Sequence, residues 1–385
     1  MKPCADCPGC GGAKLTAEFR IPRQPVVLNY RFRDAVSASR VPRRDVTLRQ
    51  CSTCGLVFNA TFDPAIIPYD ENYENRQHHS PTFTAHLERL AGRLIESNGL
   101  QSGRILEVGC GKGDFLRLLC REAKAAGVGY DTSFEPGAEP HGEHLQFHAR
   151  YVSAADVSQP FDAVICRHVV EHVSEIGAFL TEMAAIARAA GDPVVVLETP
   201  RFEWIVEHTC LWDVFYEHCN YFSMPTLAYL CRKVGFRVVR HRSAFGAQYQ
   251  VLELRLARRR INLRPVGIPF GASLKSFGNQ ASTALRKLSG RIDSARGGKD
   301  WALWGAGAKG VALVNQLPGP GPKFVVDVNP AKQGGVLPGT KIPIVADSFP
   351  GIDHLGLILI ANPNYASEIC AVLSQRGYAG ETLTL

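Results

Sequence analysis

The chain has 385 residues, 45% hydrophobic and 21% charged, with a formal charge of +7. That is the length of two or three domains with the composition of a globular protein. It contains no run of about 18 apolar residues that could span a membrane, and Met1-Lys2-Pro3-Cys4 opens no apolar signal core, so a cytoplasmic protein without a membrane partner is expected. The basic clusters at residues 258–260 and between Arg286 and Lys299 read as solvated faces, so no nucleic-acid partner is expected.

Twelve cysteines without an export signal point to thiols or metal ligands, and five of them fall within the first 54 residues. Residues 1–62 carry Cys4-x2-Cys7-x2-Cys10-Gly11 and Cys51-x2-Cys54-Gly55. Paired Cys-x2-Cys turns direct four thiolates at one tetrahedral ion, for which zinc is the usual occupant. Cys4 could take the place of Cys7 or Cys10, but the trailing glycines favour Cys7, Cys10, Cys51 and Cys54. The segment between the pairs has too few apolar residues for a core of its own, so a structural Zn2+ would supply folding energy.

Residues 63–260 begin with a polar, aromatic connector over 63–102, a possible lid, which holds Tyr73 and Asn75. Ser80 and Pro81 predict the cap and first turn of a helix running from Thr82 to about Ser97. Arg104–Val108 then reads as a strand entering the glycine turn Gly109-Cys110-Gly111-Lys112-Gly113, followed by an apolar-periodic helix. Glycines let the backbone approach a ligand, and the helix start offers free N–H groups. A second strand ends at Asp131, 24 residues after Glu107, where an acid can accept bonds from both ribose hydroxyls. Phe161–Cys166 reads as strand four. The Glu107-x-Gly109-x-Gly111-x-Gly113 pattern resembles motif I of class I S-adenosylmethionine (SAM) methyltransferases. The resemblance implies that the loop wraps the methionine moiety of SAM, with Glu107 helping to hold it.

Directly after strand four, His168-Val169-Val170-Glu171-His172 matches the pattern of inverted zinc proteases, but its context argues against that chemistry. What survives is an expected helix placing His168 and His172 on one face at the carboxyl edge of the sheet. Further on, His218 beside Glu217 forms a base with an electrostatic partner. Ser223 is expected to cap the following helix.

Residues 261–385 contain a connecting helix over about 274–295 and a second strand–turn–helix. Trp301–Trp304 leads into Gly305-Ala306-Gly307-Ala308-Lys309-Gly310, and Phe324–Val326 ends at Asp327, 22 residues after the first glycine. Alone this reads as half of a dinucleotide site, but about 85 residues are too few for a complete NAD fold. An NAD-linked oxidoreductase is therefore disfavoured. An RNA-modifying enzyme is disfavoured too, because strand four is not followed by an Asn/Asp-Pro-Pro-aromatic motif.

Together the cysteine pairs, the SAM loop, Glu217-His218-x-x-Tyr221-Phe222-Ser223 and the run from Gly305 through Asp327-Val328-Asn329-Pro330 to Ile344 resemble one family: the zinc-containing, three-domain sugar C-methyltransferases acting on nucleotide-linked keto-deoxysugars. The resemblance implies an α/β fold. Its class I Rossmann-like core would lie between an N-terminal zinc domain and a small C-terminal Rossmann-like domain that closes over the nucleotide. It also implies methylation alpha to a ketone in specialised-metabolite (antibiotic deoxysugar) biosynthesis. His218 would be the base, Glu217 its neighbour, and His172 a donor to the enolate. His168 would stand in the SAM shell, and Tyr73, Asn75, Tyr221 and Lys309 near the acceptor. Three positions depart from the family pattern. Phe215-Tyr216-Glu217-His218 replaces Tyr-His-Glu-His, leaving Tyr216 as the substitute tyrosine; Tyr73-Glu74-Asn75-Arg76-Gln77 replaces Tyr-x-Tyr-x-Ser; and His168 replaces an asparagine. Methyl transfer to oxygen, nitrogen or a non-sugar carbon acid is the alternative.

Overall fold

The computed structural model describes residues 5–16, 19–70, 72–74, 76, 78–137, 144–259, 261–267 and 274–385. Cys4 and Asn75 lie outside the described residues.

The central sheet has seven strands in the order Phe236–Ala244, Tyr249–Leu256, Val194–Pro200, Ala163–Arg167, Arg104–Val108, Ala126–Tyr130 and Leu145–His148. The strands from Val194–Pro200 to Leu145–His148 are parallel, and the first two join as an antiparallel hairpin on one side. Ile105, Leu106, Val164, Ile165 and Val194 to Leu197 are buried, as parallel strands covered on both faces require. Successive strands build outward from Arg104–Val108, first to one side and then to the other. The crevice beyond its carboxyl end and that of Ala163–Arg167 is therefore the switch point where such sheets bind ligands.

The chain leaving Ala163–Arg167 departs from expectation. His168 adopts a left-handed φ of +52°, and Val170–His172 forms a single 3-10 turn before the helix Ile176–Ala189. His168 and His172 therefore share no helix face. Val170 and Glu171 are both buried and draw the turn inward, while the His168 N–H still bonds the Glu198 carbonyl across the sheet. The expected helix after the connector is present as Pro81–Asn98, capped by the Ser80 hydroxyl and closed by left-handed Gly99.

The N-terminal sheet is antiparallel, in the order Phe19–Pro25, Arg43–Gln50, Val57–Asn59 and Asn220–Tyr221. Its last strand thus comes from the segment carrying Glu217 and His218, which the first domain grips directly. Ile21, Val46 and Leu48 pack in one cluster with Phe277 and Leu285 of the helix Leu274–Ala295 and with Val311 and Leu313 beyond it. The N-terminal region shares its core with the other parts of the chain, as its low apolar content requires.

The C-terminal sheet has five parallel strands in the order Ile344–Val345, Phe324–Val326, Trp301–Trp304, Leu357–Ile360 and Glu381–Thr384. In its glycine turn a Cβ at Gly310 would lie 1.9 Å from the Gly305 carbonyl oxygen, so the third glycine is needed for the helix to cross the loop.

Candidate active site

Two cavities occupy the carboxyl edges of these sheets. The first is lined by Glu107, Gly109, Gly111 and Asp131. Gly109 has a φ of +74°, and a Cβ there would come within 2.2 Å of a Val169 methyl, so only glycine fits. The Gly111 N–H donates to Asp131 Oδ2 at 2.8 Å, and the Ser133 N–H and hydroxyl hold Oδ1, each at 2.7 Å. Glu107 is buried, and its Oε2 has no hydrogen-bond partner among the described residues. Burial pushes its carboxyl up to about 8. An orphaned acceptor beside a glycine loop whose Gly109, Cys110, Gly111 and Gly113 N–H groups are already bonded suits a ligand that carries its own cationic donor, as the methionine end of SAM does.

The second cavity lies between the core and the C-terminal domain. His168, His172, His218 and Gln248 line one wall, and Gly305, Lys309 and Asp327 the other. The C-terminal turn repeats the construction of the first: the Ala306 N–H donates to Asp327 Oδ2 at 2.7 Å, and the Asn329 N–H to Oδ1 at 2.8 Å. This second glycine loop therefore faces the core. Tyr73, Arg76, His168 and His172 line both cavities, which meet there.

At the junction, His172 Nδ1 lies 3.0 Å from the Glu217 carbonyl oxygen and 3.2 Å from the Tyr69 hydroxyl. The carbonyl can only accept, so Nδ1 carries a proton and Nε2 is free for chemistry. The His218 ring packs 4.8 Å from that of His172 and 4.1 Å from that of Phe215. Burial, then the charges of His172, His168 and Lys309, depress its proton affinity well below the usual range, so it stands neutral.

Several expected site residues sit elsewhere. Glu217 is not beside the His218 ring in the cavity. It is fully buried behind it, accepting from the Leu28 and Asn29 N–H groups and, at 2.9 Å, from the Tyr73 hydroxyl. Tyr216 does not supply a site hydroxyl: its oxygen accepts from the Asp63 N–H at 2.9 Å and donates to the Thr61 carbonyl, under a ring contact with Phe62. Tyr221 is likewise buried, its hydroxyl bonded to the Phe215 backbone. Lys309 does line the second cavity, paired with Asp213 at 2.6 Å and lying over the Trp204 ring. His168 lies between Glu171, at 3.3 Å, and Glu198, at 3.8 Å. Tyr69, Glu171 and Asp213 were not singled out from sequence. Tyr69 and Glu171 stand inside segments that were, but Asp213 carries no local signal.

Cys7, Cys10, Cys51 and Cys54 gather in a separate cluster with Cys7–Cys54 and Cys10–Cys51 sulfur separations of 3.6 and 3.5 Å. A tetrahedral ion with bonds of about 2.3 Å places its sulfurs about 3.8 Å apart, so the set fits a tetrahedral metal. Without a cation, the hydrogen bond it donates to Cys7 and burial hold the Cys54 thiol protonated, and burial raises Cys10 to about 11.

A doubly wound sheet, a glycine loop closed by the acid of the next strand, and an orphaned carboxyl oxygen in the strand before that loop are the features of a class I SAM-dependent methyltransferase core. The chain matches the family model of a methyltransferase domain over residues 77–241 and that of a C-methyltransferase C-terminal domain over residues 257–383. It is 26% identical over 312 residues to the C-methyltransferase NovU of Streptomyces niveus, covering 74% of this chain and 72% of that protein. A ubiquinone biosynthesis O-methyltransferase of Bradyrhizobium sp. (strain ORS 278) is 32% identical over 139 residues, and the chain spans 53% of its length. Among solved structures, the 1,6-didemethyltoxoflavin-N1-methyltransferase of Burkholderia thailandensis aligns with 46% of this chain and 81% of its own at 18% identity and a TM-score of 0.35. No described helix is long and apolar enough to cross a membrane.

Proposed function

We propose that the protein transfers the SAM methyl group to a carbon next to a ketone on a nucleotide-linked deoxysugar, in specialised-metabolite biosynthesis. The observation that carries this reading is the meeting of the two cavities at His168 and His172, with His218 beside them. A methyl donor in the first cavity and an acceptor in the second would converge on a histidine pair. The inward-facing second glycine loop, with Lys309, supplies the N–H groups and charge to hold an anionic nucleotide. The similarity to NovU across most of both chains points to the same kind of transfer.

In this reading His218, neutral by burial, removes the proton from carbon. The resulting enolate attacks the methyl in line, and S-adenosylhomocysteine departs. His172 in its doubly protonated form donates Nδ1–H to the Glu217 carbonyl and Nε2–H to the enolate oxygen. Tyr73 takes part through Glu217 as a positioning residue. Zinc on Cys7, Cys10, Cys51 and Cys54 is structural: it fixes the N-terminal sheet whose strand Val57–Asn59 pairs with Asn220–Tyr221, two residues past His218.

The test incubates the enzyme with a nucleotide-linked 4-keto-6-deoxyhexose in deuterated solvent, with and without SAM. Expected are exchange at the carbon beside the ketone and, with SAM, a singly methylated product, both lost in His218→Asn. Binding of S-adenosylhomocysteine together with failure to bind any nucleotide or keto-sugar nucleotide would refute the acceptor assignment.

A further inference from the structure

The turn after strand four carries Glu171 between His168 and His172, and the methyl-transfer reading leaves this acid unused. Glu171 is 1% exposed and lines the acceptor cavity. Its carboxylate, an imidazole nitrogen of His172 and one of His218 all lie within 4.8 Å of one another. We propose that Glu171, His172 and His218 form a binding site for a divalent late first-row metal ion, separate from the four cysteines, and that its occupancy switches proton transfer off. The switching rests on the proton-transfer reading above; the metal binding does not.

The orientation of these groups is that of a ligand set. His172 Nδ1–H is directed onto a backbone carbonyl at 3.0 Å, which turns Nε2 away from that carbonyl. Carbonyl-anchored imidazoles of this kind are typical of metal-bound histidines. Glu171 is anchored as well, with Oε2 accepting from the Thr199 hydroxyl at 3.0 Å and Oε1 3.3 Å from His168 Nδ1. Among the described residues His218 is held by ring contacts, edge-on to His172 with an interplanar angle of 81°. Two imidazoles and one carboxylate suit nickel, cobalt, copper or zinc, and leave positions open toward the cavity. Metal–ligand bonds of about 2.1 Å bring ligand atoms to roughly 3 Å apart, so small side-chain rotations close the set. With the ion bound, both imidazole lone pairs lie on the metal and neither can accept the carbon-bound proton. The ion therefore competes with the acceptor at the point where the two cavities meet.

The test uses full-length protein with its cysteine site loaded with zinc. Co2+ is titrated while stoichiometry is read by native mass spectrometry and coordination by visible absorption. One additional ion per chain, with a nitrogen/oxygen rather than a thiolate spectrum, is expected. At least tenfold weaker binding is expected in His172→Gln, His218→Gln and Glu171→Gln, with the circular-dichroism spectrum and the zinc content of the cysteine site kept as the check on folding. No additional ion at millimolar Co2+, or equal binding in wild type and all three variants, overturns the site. The proton-transfer reading fails separately: if the ion binds as expected but His218→Gln still exchanges the acceptor proton, the site stands and its regulatory consequence falls.

Discussion

Glu217 offers the sharpest test of how the three parts of the chain build one site. Its carboxylate accepts from two backbone N–H groups of the N-terminal region and from the Tyr73 hydroxyl, while its own carbonyl orients His172. Glu217→Ala removes three hydrogen bonds at about 1 kcal/mol each, offset in part by relief of a buried charge, leaving a loss of about 2 kcal/mol. Glu217→Gln keeps the shape and one acceptor, so its loss is under about 1 kcal/mol. The pH dependence separates charge from shape. Burial raises the folded-state pKa of Glu217, so between the unfolded value of about 4.3 and that raised value the folded state binds more protons than the unfolded. Wild-type stability therefore falls as pH rises through this window, and Glu217→Gln lacks that slope. Urea unfolding at several pH values from about 5 to 8 should show the glutamine variant gaining on wild type as pH rises. Turnover in Glu217→Ala should drop at least tenfold with S-adenosylhomocysteine affinity unchanged. A stability gap independent of pH, or full turnover in the alanine variant, would refute the positioning argument.

Other substitutions probe the remaining parts. Gly109→Ala meets Val169 and a left-handed φ, a strain of about 1–2 kcal/mol before the clash; calorimetry should show at least tenfold weaker S-adenosylhomocysteine binding with cysteine-site metal content unchanged. Stripping the cysteine site with a strong chelator should lower Tm by on the order of 10 °C and abolish turnover while S-adenosylhomocysteine still binds. Lys309→Met leaves buried Asp213 without its cation; the acceptor KM should rise about tenfold, roughly 1.4 kcal/mol, with SAM affinity unchanged.

The parts legible in the sequence were those fixed by local backbone chemistry. Glycine spacing with an acid at the next strand end located both loops, because each acid bonds its loop N–H within one strand–turn–helix unit. Serine before proline located the helix start for the same reason. Cysteine spacing located the four sulfurs, since each pair sits on its own tight turn. Side-chain direction was not legible. Glu217 and His218 are adjacent in sequence and so point apart, the acid toward Leu28 and Tyr73, the imidazole toward the cavity. Tyr216 looked like a site tyrosine, but it points away from the cavity toward Thr61 and Asp63. The hydroxyls that do reach the histidine segments come from Tyr69, 103 residues before His172, and Tyr73, 144 residues before Glu217.

That distance explains the architecture. The connector holding Tyr69 and Tyr73 also reaches both ligand loops: the Arg76 guanidinium lies 3.5 Å from Asp114 at the start of the SAM-loop helix, and the Glu74 carboxylate accepts from Asn329 beside the second loop at 3.2 Å. The C-terminal domain completes the grip, since Asn362 and Gln248 exchange a reciprocal pair of amide hydrogen bonds and Glu368 accepts from the Ser80 hydroxyl. A ligand that displaced the C-terminal loop would therefore pull on the connector, and through Tyr73 on Glu217, before reaching the histidines. The methyltransferase core supplies the cofactor cavity. Alignment of the histidine pair depends on contacts from both flanking domains, which is the physical reason for a chain more than twice as long as its methyltransferase-domain match of residues 77–241.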